Sequence, residues 1–214
     1  PIIEGHDLEN KVGKWVINEG IKQLAEWQSH NINLQMSINI SAQHLLTTNF
    51  YNELDLALEK HPSVDLHFLQ LEILETSILS DLDAITSILN ECKNRFNISF
   101  ALDDFGTGCS SLTHLRNLPV NTIKIDTSFV TQILNDFNDY AIIDGLIGLT
   151  TSFDLELIAE GVETNEIGLM LLTMGCNLAQ GYGIARPMPA DNFKQWLMNY
   201  TPNPVWQAHS GKML

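Results

Sequence analysis

Short apolar runs alternate with amphipathic stretches along most of the chain, which predicts strands separated by helices. Residues 35–40, Gln35-Met36-Ser37-Ile38-Asn39-Ile40, read as the first strand. Five more are predicted at 66–73, 98–103, 122–126, 155–160 and 177–182. Residues 9–28 read as a helix, because Val12, Trp15, Val16, Ile21 and Leu24 recur at near-helical spacing. Further helical patterns lie around 50–60, 83–95, 139–152 and 164–174, and a last one at 190–199 carries Phe193, Trp196 and Leu197. From Thr201 onward, Pro202, Pro204 and Gly211 predict an irregular tail. The expected division is therefore a domain over 1–200 and a tail over 201–214, with no low-complexity linker and no internal repeat.

Strands separated by one helix each run parallel, and a parallel sheet needs both faces covered. That leaves a doubly wound sheet or a (β/α) barrel. Every predicted strand carries an ionisable or amide residue at or just after its C-terminal end. In order these are Asn39, Glu72 with Glu75, Asp103 with Asp104, Lys124 with Asp126, Glu160 with Glu163, and Gln180. A doubly wound sheet concentrates function at one switch point, whereas a barrel brings all strand ends to one mouth. The pattern favours an α/β fold of TIM-like (β/α) barrel type. Six predicted strands, where a closed barrel of this type has eight, imply that about two N-terminal strands are absent. The chain opens on Pro1, consistent with a piece of a longer protein.

The balance of 11 basic against 26 acidic residues, a net charge of −15, opposes binding to a DNA or RNA polymer. It also makes any anionic substrate dependent on a local cation, either a metal or a placed Lys or Arg. Apolar residues at 44% and charged residues at 17% describe an ordinary globular protein, with no apolar run long enough to span a bilayer. Cys92, Cys109 and Cys176 are unpaired in spacing and read as small buried hydrophobes of a reducing compartment.

Collected at one mouth, Asn39, Glu72, Asp103, Asp104 and Glu160 form an all-oxygen set that suits Mg²⁺ or Mn²⁺ rather than zinc or copper. None of the 7 His residues falls in these motifs, and each reads as a surface or packing residue. Five donors exceed what one Mg²⁺ that keeps its waters requires, so a two-metal site is the expectation. In Thr122-Ile123-Lys124-Ile125-Asp126 the alternation puts Lys124 and Asp126 on the face opposite the isoleucines. Lys124 then serves as a fixed cation near a nucleophilic water, or as half of a structural Lys–Asp pair. Glu160 ends its strand at a glycine, as a metal ligand able to help deprotonate water. Thr164 reads as the cap of the following helix.

These motifs resemble a known family. Ser37 to Ser41, Leu71 to Ser77, Asp103 to Gly108 with Ser110-Ser111-Leu112, Ile123 to Asp126 with Ser128-Phe129-Val130, Ala159 to Glu163, and Gln180-Gly181-Tyr182 are similar, in that order, to the EAL domain. The resemblance implies a TIM-like barrel that hydrolyses cyclic di-GMP to linear pGpG with Mg²⁺ or Mn²⁺ in bacterial second-messenger signalling. Carried over by motif, Asn39, Glu72, Asp103, Asp104 and Glu160 look like metal ligands, and Lys124 and Glu160 like the catalytic pair that places and deprotonates water. Glu75 resembles the glutamate that holds the loop after Asp104. Asp126, Glu163 and Gln180 resemble substrate-side positions. The family further implies a homodimer, and a cytoplasmic domain fused to sensory or GGDEF-type domains, with a membrane-anchored parent left open.

The chain departs from the family pattern in places. The Glu-Ala-Leu segment is absent from the sequence, and Pro1-Ile2-Ile3-Glu4 resembles the start of the family's next helical region. Cys109 stands where an aromatic is usual, Thr127 where Arg is common, and Leu74 where Thr is usual. The absent segment keeps two alternatives open beside the phosphodiesterase: a catalytically impaired cyclic-di-GMP-binding module, and an inactive fragment.

Overall fold

In the computed structural model the described residues are 7–78, 81–108 and 112–210. The Pro1 to Glu4 segment and the loop residues Cys109 to Ser111 lie outside them. The chain divides into two compact units, residues 1–103 with 108–121, and residues 104–107 with 122–214.

The first unit starts with α1 (Asp7–Ser29), β1 (Met36–Asn39), α2 (Ala42–Leu45) and α3 (Phe50–Glu59). There follow β2 (Leu69–Leu74), α4 (Glu75–Ile78), α5 (Leu82–Phe96), β3 (Ser99–Phe105) and α6 (Leu112–Asn117); the last two residues of β3 count with the second unit. β1 pairs parallel with β2, and β2 with β3. Flanked on both edges, β2 buries Leu69, Leu71 and Ile73 completely, as a central parallel strand must. The buried stripe of α1 is Ile17, Ile21 and Leu24, at i, i+4 and i+7. Val12 and Trp15, expected on that stripe, are exposed, because at 100° per residue they lie well round the helix from Ile17. In α5 the buried positions Ile85, Leu89, Cys92 and Phe96 keep the same period, and Asp81 caps the start by accepting a bond from the Ala84 amide.

The second unit contains β4 (Thr122–Ile125), α7 (Thr127–Gln132), α8 (Phe137–Phe153), β5 (Glu156–Ala159) and α9 (Asn165–Met174). It ends in β6 (Leu178–Ala179), α10 (Ala190–Asn199) and α11 (Pro204–Ser210). β4 pairs parallel with β5, and β5 with β6. Thr164 caps α9 as the sequence suggested, accepting from the Ile167 amide at 3.3 Å.

Two segments differ from expectation. The strand predicted at 66–73 begins with a 3-10 turn over Leu66–Phe68, since the Asp65 carboxylate accepts from the His67 amide at 2.9 Å. The tail predicted to be irregular folds as α11 over Pro204–Ser210. Pro204 occupies the first helical position, where its missing N–H costs nothing, and the Asn203 side chain accepts from the Val205 amide at 2.9 Å. Trp206 lies so close to Gly168 that a Cβ there would meet the indole at 2.7 Å, and its Nε1 donates to the Asn165 carbonyl at 3.1 Å. A side chain at 168 would push the indole off α9.

Among the described residues, no helix is long and apolar enough to cross a membrane. Cys92 and Cys176 are free and buried. Burial pushes their thiols up to about 12 and about 11, with the neighbouring Glu91 adding to the rise at Cys92.

Both features of the packing can be tested. Trp206→Ala should lower the unfolding free energy by about 1–3 kcal/mol, since the indole covers α9; a denaturant midpoint equal to wild type would show that α11 is not docked. At pH 8 both buried thiols sit below their pKa, so iodoacetamide should label Cys92 and Cys176 only after unfolding. Labelling of either by mass spectrometry in the native protein would contradict their burial.

Candidate active site

Register and alternation place the polar strand-end residues. In the first unit Asn39 is the register partner of Glu72, and Glu72 that of Ala101. Asp103 lies two residues beyond Ala101, so Asn39, Glu72 and Asp103 share one face, with Asp103 a step nearer the C-terminal ends. Glu72 and Asp103 are buried, at 5% and 7% exposure, which is unusual for carboxylates and requires compensating partners. At the start of α4, Glu75 is 2% exposed, and its Oε2 accepts from the Gly108 amide at 3.3 Å. A Cβ at 108 would meet the same carboxylate at 2.8 Å, so glycine is what permits this approach.

In the second unit Lys124 is paired in register with Ile158, and Ile158 with Leu178. Two residues on, the same face carries Glu160 and Gln180. The side chains meet there. The Lys124 ammonium, 3% exposed, lies 2.5 Å from Oε1 of Glu160, and the Gln180 amide donates to the same oxygen at 2.7 Å. A lysine buried this far is tolerable only with an opposite charge in contact.

Asp104 is the penultimate residue of β3, with φ +53°, a left-handed conformation rare for a residue with a side chain. A carboxylate oxygen of Asp104 lies within 4.8 Å of one of Glu160. Beyond it the Thr107 hydroxyl donates to the Asp104 carbonyl at 2.9 Å, and Gly106 turns at φ +102° beneath the ring of Phe129. Two carboxylates this close repel each other, so the arrangement favours a cation between them or a proton on one.

Of the remaining sequence-predicted residues, Asp126 is engaged as a helix cap and Glu163 stays beside Glu160 and Gln180. Asp126 caps α7, accepting from the amide of Ser128 at 2.9 Å and also from its hydroxyl. Glu163 is exposed and lines a cavity of about 650 Å³ together with Glu160, Gln180 and Thr127. The same cavity is lined by Tyr182, Arg186, Phe193 and Trp196. Arg186 went unnoticed in the strand-end pattern because it lies six residues past Gln180, in the loop before α10. The scarcity of basic residues, 11 in the chain, was the signal that could have found it.

The profile described as "EAL domain" matches residues 1–187. "Cyclic di-GMP phosphodiesterase PA2567" of Pseudomonas aeruginosa is 34% identical over 92% of this chain and 33% of its own length. "Oxygen sensor protein DosP" of Escherichia coli is 36% identical over 92% of this chain and 24% of its own. The chain thus spans about a quarter to a third of the length of these curated relatives. Among solved structures, "PaMucR Phosphodiesterase, c-di-GMP complex" superposes with a TM-score of 0.85 at 33% identity, covering 90% of this chain and 78% of that one. The parallel strands and their helices are accordingly those of an incomplete TIM-like barrel, as the strand-end pattern predicted. A profile match over most of the sequence, agreeing with the order of the strand-end motifs, makes this chain a member of the EAL domain family.

Proposed function

We propose that this chain is the hydrolytic domain of a cyclic-di-GMP phosphodiesterase, opening one phosphodiester of the cyclic dinucleotide to give linear pGpG. The observation that carries the reading is the group at the ends of β4 to β6. An ammonium is fixed by a glutamate, the glutamate is held by an amide, and an aspartate lies within 4.8 Å of it. The names of relatives such as the P. aeruginosa phosphodiesterase support it.

The residues fit a divalent cation. Asp104 and Glu160 supply oxygens near enough to share one, and neither His nor Cys stands among the proposed donors. Hard oxygen donors of this kind suit Mg²⁺ or Mn²⁺. Asp104 and Glu160 would hold it; the motif resemblance alone adds Asn39, Glu72 and Asp103 as ligands, a number that suits a pair of ions. When bound, such ions acidify water and neutralise charge at the phosphoryl oxygens.

In this reading Lys124 places the attacking water, its position fixed by the 2.5 Å pair with Glu160. It also adds positive charge where the pentavalent phosphorus develops negative charge. Glu160 accepts the proton of that water. The Gln180 amide on Oε1 fixes which carboxylate oxygen faces Lys124 and which is presented to the reacting atoms. Glu163, on the cavity wall, and Asp126 act on the substrate side, and Glu75 holds the loop after Asp104 through the Gly108 amide. Fusion to sensory or GGDEF-type domains and pairing as a homodimer belong to the same proposal. The relatives carry most of their length beyond the matched part.

In the full-length protein, Glu160→Gln or Lys124→Ala should lower kcat by roughly 10²–10⁴-fold while cyclic-di-GMP affinity changes far less. Chromatographic quantification of pGpG checks this, and wild-type turnover in either variant would contradict the roles of both side chains. Excess EDTA should stop the reaction and Mg²⁺ or Mn²⁺ should restore it; turnover that persists in EDTA would remove the metal from the account.

A further inference from the structure

We infer that Arg186, braced on the ring of Tyr182, binds a phosphate of the dinucleotide in the cavity next to Glu160 and Gln180; this rests on the phosphodiesterase reading. The cavity, about 650 Å³, lies within the size class of small-molecule sites, roughly 300–1,000 Å³. It opens directly on the reacting group, since Glu160 and Gln180 form part of its wall. Its acids are Glu160, whose charge Lys124 offsets, and the exposed Glu163. A substrate with two phosphodiesters is repelled there unless a cation answers it.

The cations of the second unit narrow the choice. Among its described residues the basic side chains are Lys124, Arg186 and Lys194. Lys124 is buried against Glu160, and neither it nor Lys194 is on the cavity wall, which leaves Arg186 as the cation of that wall. Thr127, also on the wall, brings no charge. The Arg186 guanidinium carbon sits 4.7 Å from the centroid of the Tyr182 ring. A guanidinium over a ring face gains cation–π attraction and can still donate its N–H groups to an anion. A planar fork held in this way matches two oxygens of a phosphodiester and loses little rotamer freedom on binding. The apolar ring carbons of Phe193 and Trp196, on α10, give the same cavity a wall suited to the nucleoside part.

The test uses the full-length protein with Arg186→Ala and Arg186→Lys. Cyclic di-GMP and cyclic di-AMP are titrated calorimetrically in EDTA at two NaCl concentrations, and kcat and KM are measured with Mn²⁺. The expected result for Arg186→Ala is a roughly ten- to hundredfold weaker affinity for cyclic di-GMP, the scale of losing one charge-assisted pair. KM rises with kcat within a few-fold, and affinity falls less steeply with salt than in wild type. Arg186→Lys recovers part of the loss. Cyclic di-AMP loses affinity in the same proportion, because phosphate is common to both ligands.

Equal affinity and equal salt dependence in wild type and Arg186→Ala would overturn the inference and leave the phosphodiesterase reading intact. A loss confined to cyclic di-GMP would overturn it as well, because Arg186 would then be reading a guanine edge. If wild type neither binds nor cleaves cyclic di-GMP, the phosphodiesterase reading fails and takes this inference with it.

Discussion

The second unit is organised around one buried ion pair, Lys124 with Glu160, at 3% and 12% side-chain exposure and 2.5 Å apart. Withdrawing an ammonium and a carboxylate from water costs several kcal/mol for each, which their attraction offsets only in good geometry with further bonds. The geometry comes from the sheet. Parallel register sets Lys124 beside Ile158, and the Glu160 amide donates to the Ile125 carbonyl at 3.2 Å, so the pairing extends one residue past β5 and holds Glu160 near the lysine. Gln180 arrives from the next strand to complete the carboxylate. Such a pair is a poor device for stability alone, since well-packed apolar residues would serve as well. What it provides is a charge whose position is fixed before any ligand arrives.

Backbone strain is kept next to this pair. Asp104 takes a left-handed φ at the point where β3 leaves its strand geometry, a conformation that is costly for a residue with a side chain. In the second unit Gly161, at φ +70°, follows Glu160 and packs so near Thr127 that a Cβ would meet its methyl at 2.4 Å. The chain therefore turns away immediately after the glutamate, and Glu160 stays at the rim instead of being carried into the helix beyond it. The left-handed φ at Asp104 and the turn after Glu160 leave two carboxylates within 4.8 Å of each other, an arrangement that favours positive charge between them.

Much of this was legible in the chain. The order of elements emerged from periodicity because the longer helices keep strict stripes, such as Ile85, Leu89, Cys92 and Phe96, and the strands end in polar residues. Lys124, Glu160 and Gln180 could be put on one rim before their contacts were known, because parallel strands deliver their C-terminal ends together. The short helices α2, α4, α6 and α7 left no periodic trace, since four to six residues hold barely one turn of pattern. The helix α11 was hidden by prolines that read as breakers, although Pro204 sits where proline starts a helix. Strand β6, read over 177–182, is shorter than expected and ends at Ala179, before Gln180 and Gly181. Gly181 instead turns the chain so that the Gly183 amide reaches the Val162 carbonyl at 2.9 Å. Arg186 escaped notice because its importance comes from which wall it lines, and spacing along the sequence carries no information about walls.

The central claim is that the strand-end oxygens exist to hold divalent metal beside the Lys124–Glu160 pair. Diffraction from crystals of the protein soaked in Mn²⁺, with data collected at the manganese absorption edge, tests it most directly. The account predicts an anomalous peak bonded to carboxylate oxygens of Asp104 and Glu160. Crystals saturated with Mn²⁺ that place the metal elsewhere, or leave those two carboxylates without it, would contradict the account.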